Sequence, residues 1–281
     1  MRKDEKFYDL TNDTVFKLVF GNPANKRILV CLINALLKYE GKDKICEITI
    51  LNPADDAEFM GDKTTYLDLK AKDRSNRHYN IEMQVDVPKS WPKRALYYAS
   101  KLYTSQLEEG EKFPKLRKTL SISLLKGNLF QETKKLHNIY RFRNDDDGSL
   151  LGDELIDLHF LELSKFDKEK PRALSTRFEK WLHIFRFGEM YKDGAILLNE
   201  SLCSEEGIKE AVQAMCNANK DKRARMLIEG HEKWKLMHES DIEEARIEVK
   251  LSIAKKLKAN GVDLETIQKV TDLSKEEIEE L

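Results

Sequence analysis

Residues 66–71 read YLDLKA and residues 79–87 read YNIEMQVDV. In the second stretch Tyr79, Ile81, Met83, Val85 and Val87 alternate with Asn80, Glu82, Gln84 and Asp86, the period of two expected of a strand with one buried face. In the first, Leu67, Leu69 and Ala71 alternate with Tyr66, Asp68 and Lys70. The polar run from Lys72 to His78 joins the two as an antiparallel hairpin. Placing both apolar sets on one buried face pairs residue 71 with 79 and 69 with 81, and the same register sets Asp68 opposite Glu82. Directly opposed residues have Cβ atoms about 4.5–5.5 Å apart, where like charges repel. A cation between them removes the conflict, and two carboxylates with a backbone carbonyl suit Mg²⁺ or Mn²⁺, hard ions that prefer oxygen. Lys70 and Gln84 each lie two residues from one of the acids and share their face. A solvated hairpin face carries the same residue types, so alternation alone leaves both readings open.

Outward from the hairpin, Asp13–Phe20 reads as a short amphipathic helix with Thr11 or Asn12 as N-cap and Gly21-Asn22-Pro23 as its stop. Ala24–Tyr39 is expected as a second helix, with Ile28, Leu29, Leu32, Ile33, Leu36 and Leu37 at helical spacing and Gly41 at its end. Ile45–Leu51 reads as a strand. After the hairpin come a helix over Lys93–Glu109 stopped by Gly110, a buried strand over Leu116–Leu125, and strands over Leu136–Phe142 and Leu155–Leu163. Beyond Lys165 nearly everything reads as helix: Arg177–Phe187, Glu205–Asn217, and a long charged stretch over Lys220–Lys258 that fits pairing with a second copy. Gly261–Leu281 reads as two short helices, the second capped by Ser274 with Glu277 at N3, resembling the first part of a helix-turn-helix. The chain ends at Leu281, which leaves the second helix short and favours packing or dimerisation there over base reading.

With 281 residues, 41% hydrophobic and 35% charged, the chain is long enough for a sizeable core and needs a heavily charged surface. The net charge of −1 means that any nucleic-acid surface must be local. Cys31, Cys46, Cys203 and Cys216 form no CxxC pair and have no histidine at zinc-ligand spacing, so idle thiols in a reducing cytoplasm are expected. The charged start Met1–Lys6 lacks the apolar run of a signal peptide. The longest apolar run, Ile28–Leu37, is shorter than the roughly 20 residues that cross a bilayer.

Several segments in order resemble the recombination-promoting nuclease (Rpn) transposase family, a branch of the PD-(D/E)xK nuclease superfamily. Asp13 with Phe16-Lys17 and Phe20-Gly21 resembles the family's DxxFKxxFG, and Leu32–Leu37 its next helix. Asp62-Lys63 followed by Leu67-Asp68-Leu69-Lys70 resembles DK…LDxK, and Ile81-Glu82-Met83-Gln84 is the IEMQ signature. Arg94–Tyr98 with Gln106, and Leu161-Glu162-Leu163 with Lys165-Phe166, complete the match, which covers about residues 4–166. The resemblance implies a restriction-endonuclease-like α+β core, a central mixed sheet flanked by helices, over residues 1–166. A helical region over 167–258 and a short helical tail over 259–281 follow. It also implies a Mg²⁺-dependent DNA endonuclease. Asp68, Glu82, the Met83 carbonyl and Asp13 are then the metal-site candidates, and Gln84, in place of the superfamily's usual Lys, would orient water with Lys70. Asp13 is equally placed to cap its helix.

Arg94 and Gln106 are candidates to touch DNA phosphate or brace the site. Lys112–Arg143 holds nine Lys/Arg against one acid, Glu132, which makes Lys115, Arg117 and Lys118 candidate phosphate contacts. Strand-edge lysines that discourage aggregation explain the same stretch. Two further functions fit the chain: a non-cleaving DNA-binding protein on a nuclease fold, and an interaction protein working through its helical half.

Overall fold

The computed structural model describes residues 6–52, 68–153 and 155–281. Its sheet contains, among the described residues, β1 (Ile48–Ile50), β2 (Leu69–Asp73), β3 (His78–Gln84), β4 (Thr119–Leu125), β5 (His137–Tyr140) and β6 (Ile156–Glu162), in spatial order β1-β2-β3-β4-β6-β5. The hairpin takes the register that the alternation dictates: Leu69 stands opposite Ile81 and Ala71 opposite Tyr79. Asp62, Lys63 and residues 65–67 of the expected first strand lie outside the described residues. Strands β3, β4 and β6 run parallel, and β1, β2 and β5 pair antiparallel at the flanks, so the sheet is mixed. A parallel neighbour needs a crossover. The link from β3 to β4 carries the helix Trp91–Thr104, while the link from β4 to β6 carries the antiparallel strand β5.

Alternation divides the sheet into two faces. Asn80, Glu82 and Gln84 of β3 are in register with Ser121, Ser123 and Leu125 of β4, and those with Leu158, Phe160 and Glu162 of β6. The helix Trp91–Thr104 covers this face, where Trp91 and Ala95 pack with Leu125 and Phe160. The helix ends at Thr104 rather than at Glu109, because Thr104 and Ser105 turn their hydroxyls onto the carbonyls of Ser100 and Leu102.

The opposite face is closed by helices from both ends of the first unit. We label the helices α1 (Asp13–Phe20), α2 (Lys26–Leu37), α3 (Trp91–Thr104), α4 (Arg177–Arg186), α5 (Glu200–Cys203), α6 (Ile208–Lys220), α7 (Lys222–Ala259), α8 (Leu264–Thr271) and α9 (Lys275–Glu279). Asn12 is the N-cap of α1, its side chain accepting from the N–H groups of Thr14 and Val15. Helix α2 is shorter than the expected 24–39. Pro23–Asn25 forms a separate 3-10 turn, and Lys38, at φ 57°, ends the helix ahead of Gly41.

Phe16 and Phe20 of α1 meet Phe185 at 6.1 and 5.9 Å between ring centroids, and Phe20 meets Trp181 at 6.2 Å. Asn219 of α6 exchanges hydrogen bonds with the backbone of Tyr8. Packing continues past residue 166, the expected end of the first region: aromatics of α4 cover the apolar stripe of α1. The chain divides into two compact units, Met1–Leu227 and Ile228–Leu281.

In the second unit the end of α7 packs with α8 and α9 around Ala254, Ile267, Leu273 and Ile278. Asp263 caps α8, and Ser274 with Glu277 forms the expected capping box of α9. Gly261 sits at φ +75°, a conformation that L side chains rarely adopt, which lets the chain turn out of α7. Upstream, α7 exposes Trp234, Met237, Ile242, Val249 and Ile253, on the stretch where the sequence reading places a second copy. No helix among the described residues is long and apolar enough to cross a membrane. The arrangement is a restriction-endonuclease-like α+β core followed by a helical C-terminal region.

Candidate active site

Asp68 lies one residue before β2 and Glu82 one residue past the last β2–β3 pair, Leu69 with Ile81, so they occupy the next rung of the ladder on the α3 face. Both carboxylates are almost wholly removed from water, at 9% and 8% exposure. Burial pushes the Glu82 carboxyl up to about 7, and the neighbouring Asp68 charge adds to the rise. Asn80 donates to Glu82 Oε1 at 2.5 Å, and Arg94 and Lys70 oppose the rise by their charge. Lys70 holds Asp68 Oδ2 at 3.2 Å.

Gln84 donates through Nε2 to the carbonyl of Asp86, which commits its amide nitrogen to the chain and leaves Oε1 as the atom for a water. The Gln84 carbonyl accepts from Lys126 N on the β4 side. Successive carbonyls alternate along a strand, so the Met83 carbonyl faces the β2 side, where Asp68 lies.

Arg94 is exposed on the first turn of α3 and stacks over Trp91 at 5.0 Å and Tyr98 at 6.0 Å. It stands near enough to lower the Glu82 pKa. Asp13 stays at the N-terminal end of α1, in its first turn.

The other expected phosphate contacts are placed differently. Gln106 brackets the backbone of Arg117, accepting from its N–H at 2.8 Å and donating to its carbonyl at 2.9 Å and to Thr119 Oγ1 at 3.0 Å. These bonds fasten the start of the loop after α3 to its end and to the start of β4. Arg117 donates to the carbonyls of Pro114 and Leu116, and Lys115 pairs with Glu111. Lys118 pairs with Asp157 at 3.0 Å, and Asp157 is in register with Leu120 and Tyr79 on the sheet face away from Glu82. Lys115, Arg117 and Lys118 thus have partners within the protein, while Lys112, Lys126, Lys134 and Lys135 are exposed.

Two residues that the sequence reading did not single out complete the site. Lys17, fully buried on α1, donates through Nζ to the carbonyls of Asp68 and Asn52, each at 3.0 Å. Asn52 donates to the same Asp68 carbonyl at 2.9 Å and accepts from Lys70 N at 2.6 Å. A signal was present: Asp13, Phe16, Lys17 and Phe20 share one stripe of a helix whose other members are core residues, so a lysine there has to find a buried acceptor.

Hard cations fit these residues. Asp68, Glu82 and the Met83 carbonyl are all oxygen donors, and Asn80 Oδ1 beside them is buried with no hydrogen-bond partner among the described residues. Among the described residues no group of three or more His, Cys, Asp or Glu side chains could hold an ion. The set is thus that of a site with one or two carboxylates, which Mg²⁺ completes with waters and substrate oxygens.

A buried carboxylate pair at the ends of two adjacent strands of a mixed sheet, with a helix across it and cations at its rim, defines a nuclease-like α+β protein. The family model described as PD-(D/E)XK nuclease family transposase matches residues 10–245. The chain belongs to that family. A second model, described as the C-terminal HTH domain of the Rpn/YhgA-like nuclease family, matches residues 248–281. That match covers the end of α7 with α8 and α9, the tail in which the sequence reading saw the first part of a helix-turn-helix. No curated protein and no solved structure matches the chain.

Proposed function

We propose that the protein is a Mg²⁺- or Mn²⁺-dependent DNA endonuclease acting in recombination or transposition, with Asp68 and Glu82 as its metal ligands. The supporting observation is the state of Glu82: a buried carboxylate beside a second one, with a pKa near 7 and, among the described residues, one hydrogen-bond donor. Such a group is costly to the fold, and perturbed carboxylates of this kind cluster at functional sites. The Met83 carbonyl is the third donor. A bound divalent ion would polarise the scissile phosphate and lower the pKa of a water.

Around it, Lys70 and Arg94 offer positive charge to a DNA phosphate at the rim, and Gln84 Oε1 accepts from the attacking water. The helix-turn-helix of the second unit supplies a DNA-holding element. The test is supercoiled plasmid incubated with the full chain and Mg²⁺, beside an EDTA control and the variants Asp68→Asn and Glu82→Gln. Nicking should require the metal and fall to background in both variants. Cleavage at the wild-type rate by either variant, or in EDTA, sinks the assignment. Plasmid retardation without any nicking establishes the non-cleaving DNA-binding alternative.

A further inference from the structure

Asp68 lies just before β2, at a point where its carbonyl has no strand partner among the described residues. The β1–β2 ladder ends with Ile50 opposite Ala71, followed by one more bond from Leu51 N to the Lys70 carbonyl. Beyond it, the Asp68 carbonyl is held by two side chains, Lys17 Nζ at 3.0 Å and Asn52 Nδ2 at 2.9 Å. Asn52 also takes Lys70 N, so its amide spans the backbone on both sides of residue 69. An amide alone satisfies a carbonyl. Adding a fully buried ammonium costs several kcal/mol of desolvation per ion unless its partners repay it. A buried lysine bonded to the backbone of a carboxylate that faces a second carboxylate is therefore a placement with a function.

We propose that Lys17 and Asn52 are positioning residues. Together they lock the main chain at Asp68 so that its carboxylate is preset beside Glu82 to receive the divalent ion. This rests on the metal-site reading of Asp68 and Glu82 and adds the part that aims one of the two ligands. Lys17 comes from α1, so the first helix carries the site's alignment as well as core packing. Outer partners of this kind orient a ligand before the ion arrives, and removing one typically lowers metal affinity or activity by about 10–100-fold.

The positioning role has an opposite signature to that of a bare charge. A cation near the site repels a second cation, so if Lys17 acted only electrostatically, its removal would tighten metal binding. The experiment is calorimetric titration of Mn²⁺ into the full chain, the variants Lys17→Met and Asn52→Ala, and the double variant, each checked for a cooperative melt without metal. Both single variants should bind Mn²⁺ about 10–100-fold more weakly, with the double variant losing less than the product of the two. At saturating Mn²⁺ their plasmid nicking should return toward the wild-type rate.

Equal or tighter Mn²⁺ binding by both single variants overturns the proposal. Asn52→Ala removes no charge and lies at a half-buried site, so it decides the question if Lys17→Met does not fold. A wild-type chain that takes up no Mn²⁺ overturns the metal-site reading itself and is recognisable as such before any variant is measured. The variant Glu162→Gln, destabilised away from the site, should bind Mn²⁺ like the wild type and so separates loss of alignment from loss of stability.

Discussion

Glu82 lies near the end of β3 and Glu162 is the last residue of β6, on the same face of the sheet with only β4 between them, yet their surroundings differ. Glu162 is fully buried and takes four donors: the N–H groups of Leu129 at 2.6 Å and Phe130 at 3.0 Å, Lys165 Nζ at 2.6 Å and Asn138 Nδ2 at 3.3 Å. Its charge is matched, and it fastens the loop after β4 to the end of β6. Glu82 is also buried but has, among the described residues, one amide donor, and its near neighbour is another acid. Burial by itself therefore does not mark a site. What separates a structural carboxylate from a reactive one is whether the protein's own donors satisfy it.

The comparison predicts opposite signs for the same substitution. Glu162→Gln leaves Lys165 buried without its counter-charge and should cost about 3–5 kcal/mol in chemical denaturation, with metal binding unchanged. A loss below about 1 kcal/mol would mean that the four-donor arrangement is dispensable and the contrast with Glu82 is empty.

Glu82→Gln should do the reverse in the metal-free protein, in a way that depends on pH. In the fold the carboxyl keeps its proton up to about pH 7, whereas its ordinary value is 4.5. Between those values the folded state holds a proton that the unfolded chain releases, so wild-type stability falls as pH rises from 4.5 to 7 and stays lowered above it. Two and a half pH units at roughly 1.4 kcal/mol each give about 3.5 kcal/mol as the upper range. The variant should thus melt with the wild type near pH 4 and above it at pH 8. Equal differences at both pH values would show that Glu82 is held by contacts and not by an unmet charge.

The smallest effects belong to the two asparagines. Asn138→Ala removes one of four donors from Glu162 and should cost about 1 kcal/mol at any pH, read by the same denaturation. Asn80→Ala removes the donor that holds the Glu82 pKa down, so the proton should be kept to still higher pH, read as a displaced titration of Glu82 in carboxyl-resolved NMR. No displacement would place the source of the Glu82 shift elsewhere.

Much of this was legible before the structure. The pleat has a period of two, so the alternation at Leu69–Ala71 and Tyr79–Met83 admits one register that buries both sets, and that register appears. The signature around Leu161 to Phe166 was readable as a pattern, but its reason was not: Glu162 and Lys165 form a buried ion pair that also gathers a loop some thirty residues upstream.

Within the cationic run over Lys112–Arg143, a linear sequence does not show that Lys118 will meet Asp157 or Lys115 meet Glu111. Strand signals stop near residue 166, whereas the core continues through Trp181 and Phe185 onto Phe20.

The sequence by itself determined the hairpin, its register, the pairing of Asp68 with Glu82 and the capped helices of the tail, since each depends on residues a few positions apart and on fixed backbone periods. Only the tertiary structure decided that Lys17 on the first helix and Asn52 after the first strand meet at the Asp68 carbonyl, and that one buried glutamate is satisfied while the other is not. Those outcomes depend on which side chains arrive from distant parts of the chain, and on how much water the packed helices exclude when they do.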